Sequence, residues 1–347
     1  MNNENFIKGQ GAQRNENNRF DRYTFEPEEE DFQQIKTHFT EVFPKTIVNE
    51  VKSPDLRMEY SMNPYQGCEH GCSYCFARPT HEYWGFSAGV DFERKIMVKK
   101  KAPELLEQFF QKKNYSPKTI TLSGNTDCYQ PAERTFEITR KLLQLCLEYR
   151  HPISILTKNA LVLRDLDILK SLAEQNLVSV SLSIPTMNEE IRRKMEPRTS
   201  STKNKLKAIE ILSENNIPTG VMVAPVIPGL TSDESLNILK TISEKGAQNF
   251  GYSLVRLNDT VEPIFMKWIH ANFPDRAQKV LNLIRSLHGG NLGDKRFHQR
   301  YQGEGNIAEM IHHTFALGKR KYFADKAFPK LSTENFTGSK AQQLKLF

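Results

Sequence analysis

Three cysteines lie close together in the first quarter of the chain, at positions Cys68, Cys72 and Cys75. The spacing C-x3-C-x2-C places three thiolates in one short loop, and iron–sulfur clusters are held by cysteine thiolates. Three ligands leave one iron of a four-iron cluster without a protein ligand. That iron can bind a small molecule, which catalysis requires and simple electron transfer does not. The spacing therefore predicts a catalytic [4Fe–4S] cluster.

Zinc is the competing interpretation of this loop. Structural zinc takes four ligands, often from two C-x2-C pairs. His70 is one candidate for a fourth ligand, but it lies between two of the cysteines, where reaching the same ion would strain the loop. Cys128 is a more distant candidate. A zinc-stabilised nucleic-acid-binding protein without catalysis is therefore an alternative of another class.

The composition limits the kind of protein that carries this loop. The 347 residues include five cysteines, an odd number that makes a poor disulfide framework and suits a reducing compartment. No apolar run approaches the roughly 20 residues needed to cross a bilayer, and the first twenty residues lack the apolar stretch of a signal peptide. We therefore expect a cytoplasmic protein with no membrane partner. The net charge of +7 permits nucleic-acid binding without requiring it.

Strands and helices alternate on either side of the cysteine loop. The predicted strands are 56–61, 118–123, 153–157, 178–184, 217–223 and 250–257. The predicted helices are 132–149, 161–175, 202–215, 232–245 and 275–288. Repeated βα units imply a parallel sheet with helices outside. Six units are too few for an eight-unit barrel, so the sequence predicts an α/β fold with an open sheet or a partial barrel and its site at the carboxyl ends of the strands.

The chain divides into three predicted parts. Residues 1–50 are polar, include an acidic stretch at 26–31, and form an N-terminal arm with little core of its own. Residues 51–290 form the βα domain. Residues 291–347 form a C-terminal helical extension with one helix, 304–317, and a basic terminus.

The cysteine motif, with Tyr74 before its last cysteine, resembles the signature of the radical S-adenosylmethionine (SAM) superfamily. The βα pattern is similar to that superfamily's (β/α)6 partial barrel. The phrase TDCYQPAE at 126–133 and the phrase YQGEG at 301–305 resemble the DNA repair photolyase-like proteins, relatives of spore photoproduct lyase. This resemblance runs from about Gly9 to Phe315.

The resemblance implies a reaction. SAM chelates the fourth iron through its amino and carboxylate groups, the reduced cluster splits the sulfonium, and a 5′-deoxyadenosyl radical abstracts a hydrogen atom from the substrate. The implied partners are SAM and an electron donor such as flavodoxin or ferredoxin. The substrate is unidentified, and a nucleic acid is favoured. A lyase reaction like that of spore photoproduct lyase is one outcome the resemblance allows, and radical modification of a peptide or small metabolite is the alternative.

A Gly-rich turn after the second strand is the first part of the expected SAM pocket. Gly124, Thr126 and Asp127 stand where the superfamily has a Gly-Gly-Glu type motif that contacts the SAM amino group. Gly124 would allow the backbone to approach closely, and the other two residues offer oxygen acceptors. An ordinary turn is the alternative, because Gly, Asn and Asp are common turn residues.

Three further residues complete the expected SAM pocket. Lys158 resembles the SAM-contacting lysine of the spore photoproduct lyase group, and its ammonium would meet the SAM carboxylate. Ser183 would bond the ribose, with Ser181 on the same strand face; a helix-covered strand residue is the alternative. Arg198 is a second candidate for the carboxylate, against a solvated arginine.

The chain departs from the family pattern at one position. The spore photoproduct lyase group uses a cysteine near the second strand as a hydrogen-atom donor, and the matching residue here is Gly124. Cys128 is displaced by four residues. This departure disfavours repair of a thymine dimer by the same route, leaves radical abstraction from another substrate open, and leaves the catalytic residues unassigned.

Aromatic and basic residues follow the cysteines, and they support two interpretations. The aromatic residues of 76–92 and the basic run 99–101 would either shield the cluster from water or stack bases and pair phosphates; shielding is favoured. Two residue groups are interpreted as structural: Arg164 with Asp165 at a helix start, and Cys146 as a small buried hydrophobe.

Overall fold

The computed structural model describes residues 9–16, 18, 20, 36–56 and 58–338. The predicted acidic stretch 26–31 and the last nine residues of the basic terminus lie outside the described residues. The strands are β1 (His38–Glu41), β2 (Val48–Glu50), β3 (Tyr60–Met62), β4 (Tyr65–Gln66), β5 (Lys95–Val98), β6 (Ile120–Leu122), β7 (Ile153–Thr157), β8 (Val178–Ser183), β9 (Thr219–Val226) and β10 (Asn249–Leu254).

The α-helices are α1 (Val90–Arg94), α2 (Ala102–Phe110), α3 (Glu133–Phe136), α4 (Ile138–Glu148), α5 (Leu166–Glu174), α6 (Glu189–Met195), α7 (Thr202–Glu214), α8 (Ser235–Glu244), α9 (Val261–Asn272), α10 (Pro274–Leu287) and α11 (Gly305–Tyr322). Short 3-10 helices occupy Arg78–Trp84, Ala160–Asp165 and Ser232–Glu234. No helix among the described residues is both long and apolar enough to span a membrane.

Seven strands form the main sheet, in the order β10-β9-β8-β7-β6-β3-β2. Strands β3, β6, β7, β8, β9 and β10 are parallel, and β2 pairs antiparallel with β3. No pairing among the described residues joins β10 to β2, so the sheet stays open along one side. These six parallel strands confirm the predicted partial (β/α)6 architecture. A second sheet of β1, β5 and β4, which the sequence did not predict, lies next to the cysteine loop.

Strand β8 shows how the sequence assigns the two faces of the sheet. Val180 and Leu182 are fully buried in the hydrophobic core. Because side chains alternate along a strand, Ser179, Ser181 and Ser183 share the opposite face. Hydrophobic burial against the helices therefore fixes the direction of these hydroxyl groups, and Ser181 shares the face of Ser183 as predicted.

One predicted helix is broken in two. The sequence predicts a single helix over 132–149, but Glu137 adopts a left-handed conformation (φ 48°) between α3 and α4. The buried Glu133 carboxylate accepts hydrogen bonds from the backbone N–H groups of Thr139 and Arg140 at 3.0 and 3.4 Å. It therefore satisfies the free N–H groups at the start of α4. The sequence pattern could not reveal this break, because apolar residues at helical spacing continue on both sides of Glu137.

Both ends of the described chain pack on the domain between them. Ile47 and Val48 are buried in the main core, so the arm contributes apolar residues just before residue 51. At the other end, Ser332 N donates to Asn176 O at 2.9 Å and Thr337 N to Tyr149 O at 3.0 Å. Residues 326–337 therefore pass across the amino ends of the parallel strands, opposite the edge that carries the predicted site.

Candidate cofactor site

The cysteine loop leaves the sheet after β4. Cys68 N donates to Phe92 O at 2.8 Å, and Cys75 N donates to Cys72 O at 3.3 Å. Cys68 and Cys72 are buried and Cys75 is partly buried. Burial raises the pKa of all three thiols. Neighbouring thiols raise the pKa of two of them further: Cys75 acts on Cys68, and both Cys68 and Cys75 act on Cys72.

A buried ion pair between Arg78 and Glu93 supports the cysteine loop. Arg78 Nη2 lies 2.5 Å from Glu93 Oε1, and both side chains are fully buried. Arg78 also donates to Cys72 O through Nε at 3.0 Å and Nη2 at 2.9 Å. The position of Cys72 is therefore set by a guanidinium group whose charge is compensated within the protein.

The arm covers the same loop. The Glu93 carboxylate accepts hydrogen bonds from Gly11 N at 3.3 Å and Ala12 N at 2.7 Å. A Cβ atom on Gly11 would lie 1.8 Å from Gly71 O, so only glycine permits this approach. Gly71 itself has φ 66°, where residues other than glycine are strained. The arm residues 9–12 therefore form a close-fitting cover over the cysteine loop.

The turn after β6 is tied to the cysteine loop by side chains. Gln130 donates from Nε2 to Gly67 O at 3.2 Å and accepts from Glu69 N at 3.0 Å. Glu69 Oε2 accepts from Ala132 N at 2.6 Å. These bonds place the segment 123–133 directly beside the cysteines, as the position of the predicted SAM turn requires.

Gly124 and Thr126 lie in this turn with their backbones closely packed. A Cβ atom on Gly124 would lie 2.7 Å from Ser61 Cβ, so the close backbone approach predicted for Gly124 is made to the protein itself. Thr126 is buried and donates its hydroxyl to Tyr65 O at 2.7 Å. That donation leaves the oxygen lone pairs of Thr126 free to accept.

Asp127 has its hydrogen bonds within the protein. Its carboxylate accepts from Thr157 Oγ1 at 2.8 Å, Lys158 N at 2.7 Å and Tyr129 N at 2.8 Å, and it faces His70 Nε2 at 3.2 Å. Burial alone would raise the pKa of Asp127, but these contacts lower it below its usual value. Asp127 thus connects β6, β7 and the cysteine loop.

Lys158 and Ser183 meet at the carboxyl ends of neighbouring strands. Lys158 Nζ donates to Ser183 Oγ at 2.6 Å and lies 3.0 Å from Glu196 Oε1. Its side chain is 20% exposed. Burial alone would lower the pKa of Lys158, but the charge of Glu196 raises it to about 12. The structure therefore brings together the two residues predicted to contact the SAM carboxylate and ribose.

Glu196 is the centre of a charge cluster that the sequence did not predict. Its fully buried carboxylate contacts the Tyr74 hydroxyl, Lys158 Nζ, and Lys205 Nζ at 3.0 Å. Burial opposes ionisation of Glu196, but the two lysines lower its pKa far below the usual value. The electrostatic influence of Glu196 and Lys158 reaches the Cys72 thiol. The only sequence signal was the phrase EPRT at 196–199.

The Arg198 side chain contacts the arm rather than the Glu196 charge cluster. Its Nε donates to Gly9 O at 3.1 Å, and its backbone N donates to His70 O at 3.3 Å. The structure therefore places the Arg198 side chain against the arm, whereas Lys158 contacts Ser183 and Glu196.

The residues interpreted as structural occupy structural positions. Cys146 is fully buried in the main core. Arg164 contacts Asp165 and Glu133, each at 2.8 Å, under the turn. Cys128 is also fully buried in the core, with its N–H bonded to Ser123 Oγ at 2.8 Å.

The aromatic and basic residues after the cysteines divide into two groups. Phe92 is buried with the cysteines, which fits shielding, whereas Phe76 and Tyr83 are 57% and 71% exposed. The basic run is largely engaged within the protein: Lys99 donates to Asn63 O at 2.9 Å and burial lowers its pKa to about 8. Lys100 contacts Glu41, and Lys101 lies over the Phe43 ring.

An open cleft of about 200 Å³ is lined by Phe76, the residue that follows Cys75 in the chain. Phe76 and Tyr83 form its aromatic side, and Arg256, Asn258 and the acidic Asp259, which follow β10, form its polar side. The Arg256 guanidinium stacks on the Tyr301 ring at 4.6 Å. The cleft thus joins exposed aromatic rings to a cation at the carboxyl edge of the sheet.

The residues of the loop fit a [4Fe–4S] cluster by their chemistry. All three are free cysteines in one loop, two of them buried and one partly buried, and thiolates at these positions would repel one another, so a shared positive centre would stabilise them. No group of three His, Cys, Asp or Glu side chains in the described part of the chain converges on a single ion. In a four-iron cluster each thiolate binds its own iron, so the ligands need not converge on one point.

Comparison with known proteins agrees with this chemistry. The family model of the radical SAM superfamily matches residues 62–242. An uncharacterized protein of Mycobacterium tuberculosis is 34% identical over 71% of this chain and 74% of its own length. The radical SAM Nalpha-GlyT isomerase of Pseudomonas phage M6 is 24% identical over 65% of this chain and 46% of its own length.

Solved structures share the fold. Spore photoproduct lyase complexed with dinucleoside spore photoproduct matches with a TM-score of 0.60 and 14% identity, over 82% of this chain and 80% of that one. A variant of the same lyase with bound AdoMet and the dinucleoside matches with a TM-score of 0.59 and 15% identity over the same shares. The predicted resemblance is confirmed: the chain belongs to the radical SAM superfamily, whose cofactors are a [4Fe–4S] cluster and SAM.

Proposed function

We propose that this radical SAM enzyme abstracts a hydrogen atom from a nucleic-acid substrate held in the cleft between Phe76, Tyr83 and Arg256. The observation that carries the proposal is the pairing of exposed aromatic rings, Phe76 and Tyr83, with the Arg256 guanidinium in one cleft. Aromatic faces stack on bases, and guanidinium groups pair with phosphates.

Cys68, Cys72 and Cys75 are the proposed ligands of the cluster. When bound, the cluster supplies one electron to the sulfonium group of SAM. Arg78 and the arm hold the loop in place and exclude water from it, because Arg78 bonds Cys72 O and residues 9–12 cover Gly71.

Lys158, Ser183 and Thr126 are the proposed contacts of SAM. Lys158 and Lys205 both pair with the single negative charge of Glu196. The group of these three side chains therefore keeps one net positive charge. The partly exposed positive charge of Lys158, within electrostatic reach of Cys72, suits the SAM carboxylate. Ser183 offers a hydroxyl to the ribose, and Thr126 offers an acceptor to the amino group. Gly124 and Asp127 serve by fixing the turn that carries Thr126.

One comparison and one structural observation support the choice of a nucleic acid. The solved lyase with the same fold holds a dinucleoside, and Arg256, in the described residues, has no carboxylate partner that would occupy it. Burial lowers the pKa of Arg256, yet an arginine stays charged. A lyase-type outcome rests on the fold likeness alone and belongs to this proposal.

Formation of 5′-deoxyadenosine tests the proposal. The purified, cluster-loaded protein is incubated with SAM and reduced flavodoxin, ferredoxin or dithionite, with single-stranded DNA, RNA or a peptide mixture. We expect DNA or RNA to increase 5′-deoxyadenosine formation and to acquire a change in mass. Stimulation by peptide alone would reject the nucleic-acid substrate in favour of peptide modification. A Cys72→Ala variant gives the background rate.

A further inference from the structure

Two arginines meet outside the proposed SAM pocket. Arg94 ends α1, Arg198 follows α6, and Gln10 of the arm lies between their guanidinium groups. With its amide oxygen facing the arginines, Gln10 accepts from Arg94 Nη2 at 3.1 Å and Arg198 Nη2 at 3.2 Å. One neutral oxygen thus serves two positive charges.

The carboxylates nearest to Arg94 are bonded to other groups. Glu93 forms its ion pair with Arg78 and accepts backbone hydrogen bonds from the arm. Asp91 pairs with Lys95 at 3.1 Å. Neither Arg94 nor Arg198 forms an ion pair within the described residues, so the two positive charges are compensated only at a distance.

One nitrogen of the pair lacks a hydrogen-bond acceptor. Arg94 is 7% exposed, and its buried Nη1 has no hydrogen-bond partner in the described part of the chain. Burial lowers the pKa of Arg94, and the charge of Arg198 lowers it further. A buried donor on a charged group is costly when it is left unpaired. Holding the arm through Gly9 O and Gln10 would need only neutral donors, so that role does not explain two guanidinium groups.

We propose that Arg94 and Arg198 form an anion site for a phosphate group, separate from the SAM pocket. Guanidinium groups present pairs of N–H donors that match phosphate oxygens. Arg198 is partly exposed, which gives the anion a route from solvent. Lys158 does not share these contacts, since its ammonium is held by Ser183 and Glu196.

Binding of inorganic phosphate to the purified protein tests this site. Arg94→Gln and Arg198→Gln should each weaken phosphate binding by about tenfold to a hundredfold, because each removes a charge-assisted hydrogen bond. Arg14→Gln is the matched control, since Arg14 is an exposed arginine on the same arm. Circular dichroism checks that each variant is folded. Arg198→Lys keeps the positive charge but loses the paired N–H donors of the guanidinium group, so it should bind phosphate with intermediate affinity. Equal affinity in all proteins, or no binding by the wild type, would overturn the proposal.

Two competition arms identify the source of the phosphate. A dinucleotide with a 5′-phosphate that displaces inorganic phosphate, where the unphosphorylated dinucleotide does not, assigns the site to a nucleic-acid end. Failure of both dinucleotides to compete assigns it to free phosphate. Displacement of phosphate by SAM would overturn the separation of the two pockets. None of these readouts needs turnover, so they stand apart from the test of the substrate.

Discussion

The Lys158 ammonium lies 3.0 Å from the Glu196 carboxylate, at the carboxyl edge of the sheet and within electrostatic reach of Cys72. Lys158 is partly exposed, whereas Glu196 is fully buried and is also paired with Lys205. The outer lysine therefore can turn to a ligand without leaving the glutamate uncompensated. This arrangement suits a pocket that must hold an anion without rearranging its core.

Replacing a proposed cluster ligand should abolish cluster binding. Cys72→Ala, like Cys68→Ala or Cys75→Ala, leaves two thiolates, and we expect loss of iron, sulfide and SAM cleavage. Iron and sulfide analysis after anaerobic reconstitution measures the loss. Cys146→Ala is the control, because Cys146 lies in the core and should keep full iron. Full iron and SAM cleavage in Cys72→Ala would refute the assignment.

Removing the charge of Glu196 should destabilise the protein and weaken SAM binding. Glu196→Gln leaves the buried Lys205 and the partly exposed Lys158 without their counter-charge, and breaking a buried ion pair costs about 3–5 kcal/mol. Urea unfolding and SAM titration measure the two effects. Glu190→Gln, in an exposed pair with Lys194, is the control and should leave stability nearly unchanged, because exposed ion pairs contribute little. If Glu196→Gln were as stable as Glu190→Gln, the charge cluster around Glu196 would not stabilise the fold.

The SAM pocket should weaken without loss of the cluster when its polar contacts are removed. Lys158→Ala and Thr126→Ala each delete one contact, worth roughly 1–3 kcal/mol. Equilibrium SAM binding measures the loss, and iron content should remain full. Lys240→Ala, at an exposed lysine on α8, is the control. Wild-type affinity in both variants would reject this pocket.

Acid should destabilise the fold through His151, which lies just before the amino end of β7. Its ring is stacked on Phe110, and burial lowers its pKa to about 3 from 6.5. The unfolded chain therefore binds the proton first, so stability is full above about pH 6.5 and falls as the pH drops toward 3. We expect a loss of about 2 kcal/mol between pH about 7.5 and 5.

Urea unfolding at the two pH values measures this loss. His151→Gln should reduce the loss, whereas His270→Gln, at an exposed histidine on α9, should not. Burial also lowers the pKa of His81, to about 4, so His81 destabilises the fold in acid in the same way. Part of the loss of unfolding free energy should therefore remain in His151→Gln. If His151→Gln lost as much unfolding free energy between the two pH values as the wild type, His151 would not be the group responsible.

Nucleic-acid affinity should depend on Arg256 and on salt. Arg256→Gln removes one proposed phosphate contact, so the slope of log affinity against log salt should fall by about one. Phe76→Ala should weaken binding by about 1–3 kcal/mol through lost stacking. Titration of labelled single strands at two salt concentrations measures both. Arg276→Gln, at an exposed arginine on α10, is the control.

The cysteine loop and the βα order could be predicted because both are local patterns. The ligands fall within eight residues, and alternation along β8 sets which residues face the helices. Lys158 and Ser183 could be placed together for the same reason, since parallel strands end at one edge. The break at Glu137 escaped prediction because it depends on the buried carboxylate of Glu133 rather than on the apolar period.

The sequence by itself determined the cluster motif, the six parallel strands and the edge at which they carry their polar residues. Only the tertiary structure decided which charges are buried. Lys99 belongs to the basic run that the sequence assigned to shielding or phosphate pairing, but it is partly buried and donates to Asn63 O. Glu196, for which the sequence predicted no role, contacts Tyr74 across 122 residues. The physical reason is that the pattern of apolar residues fixes local direction, whereas the partner that makes a buried charge tolerable comes from a distant segment.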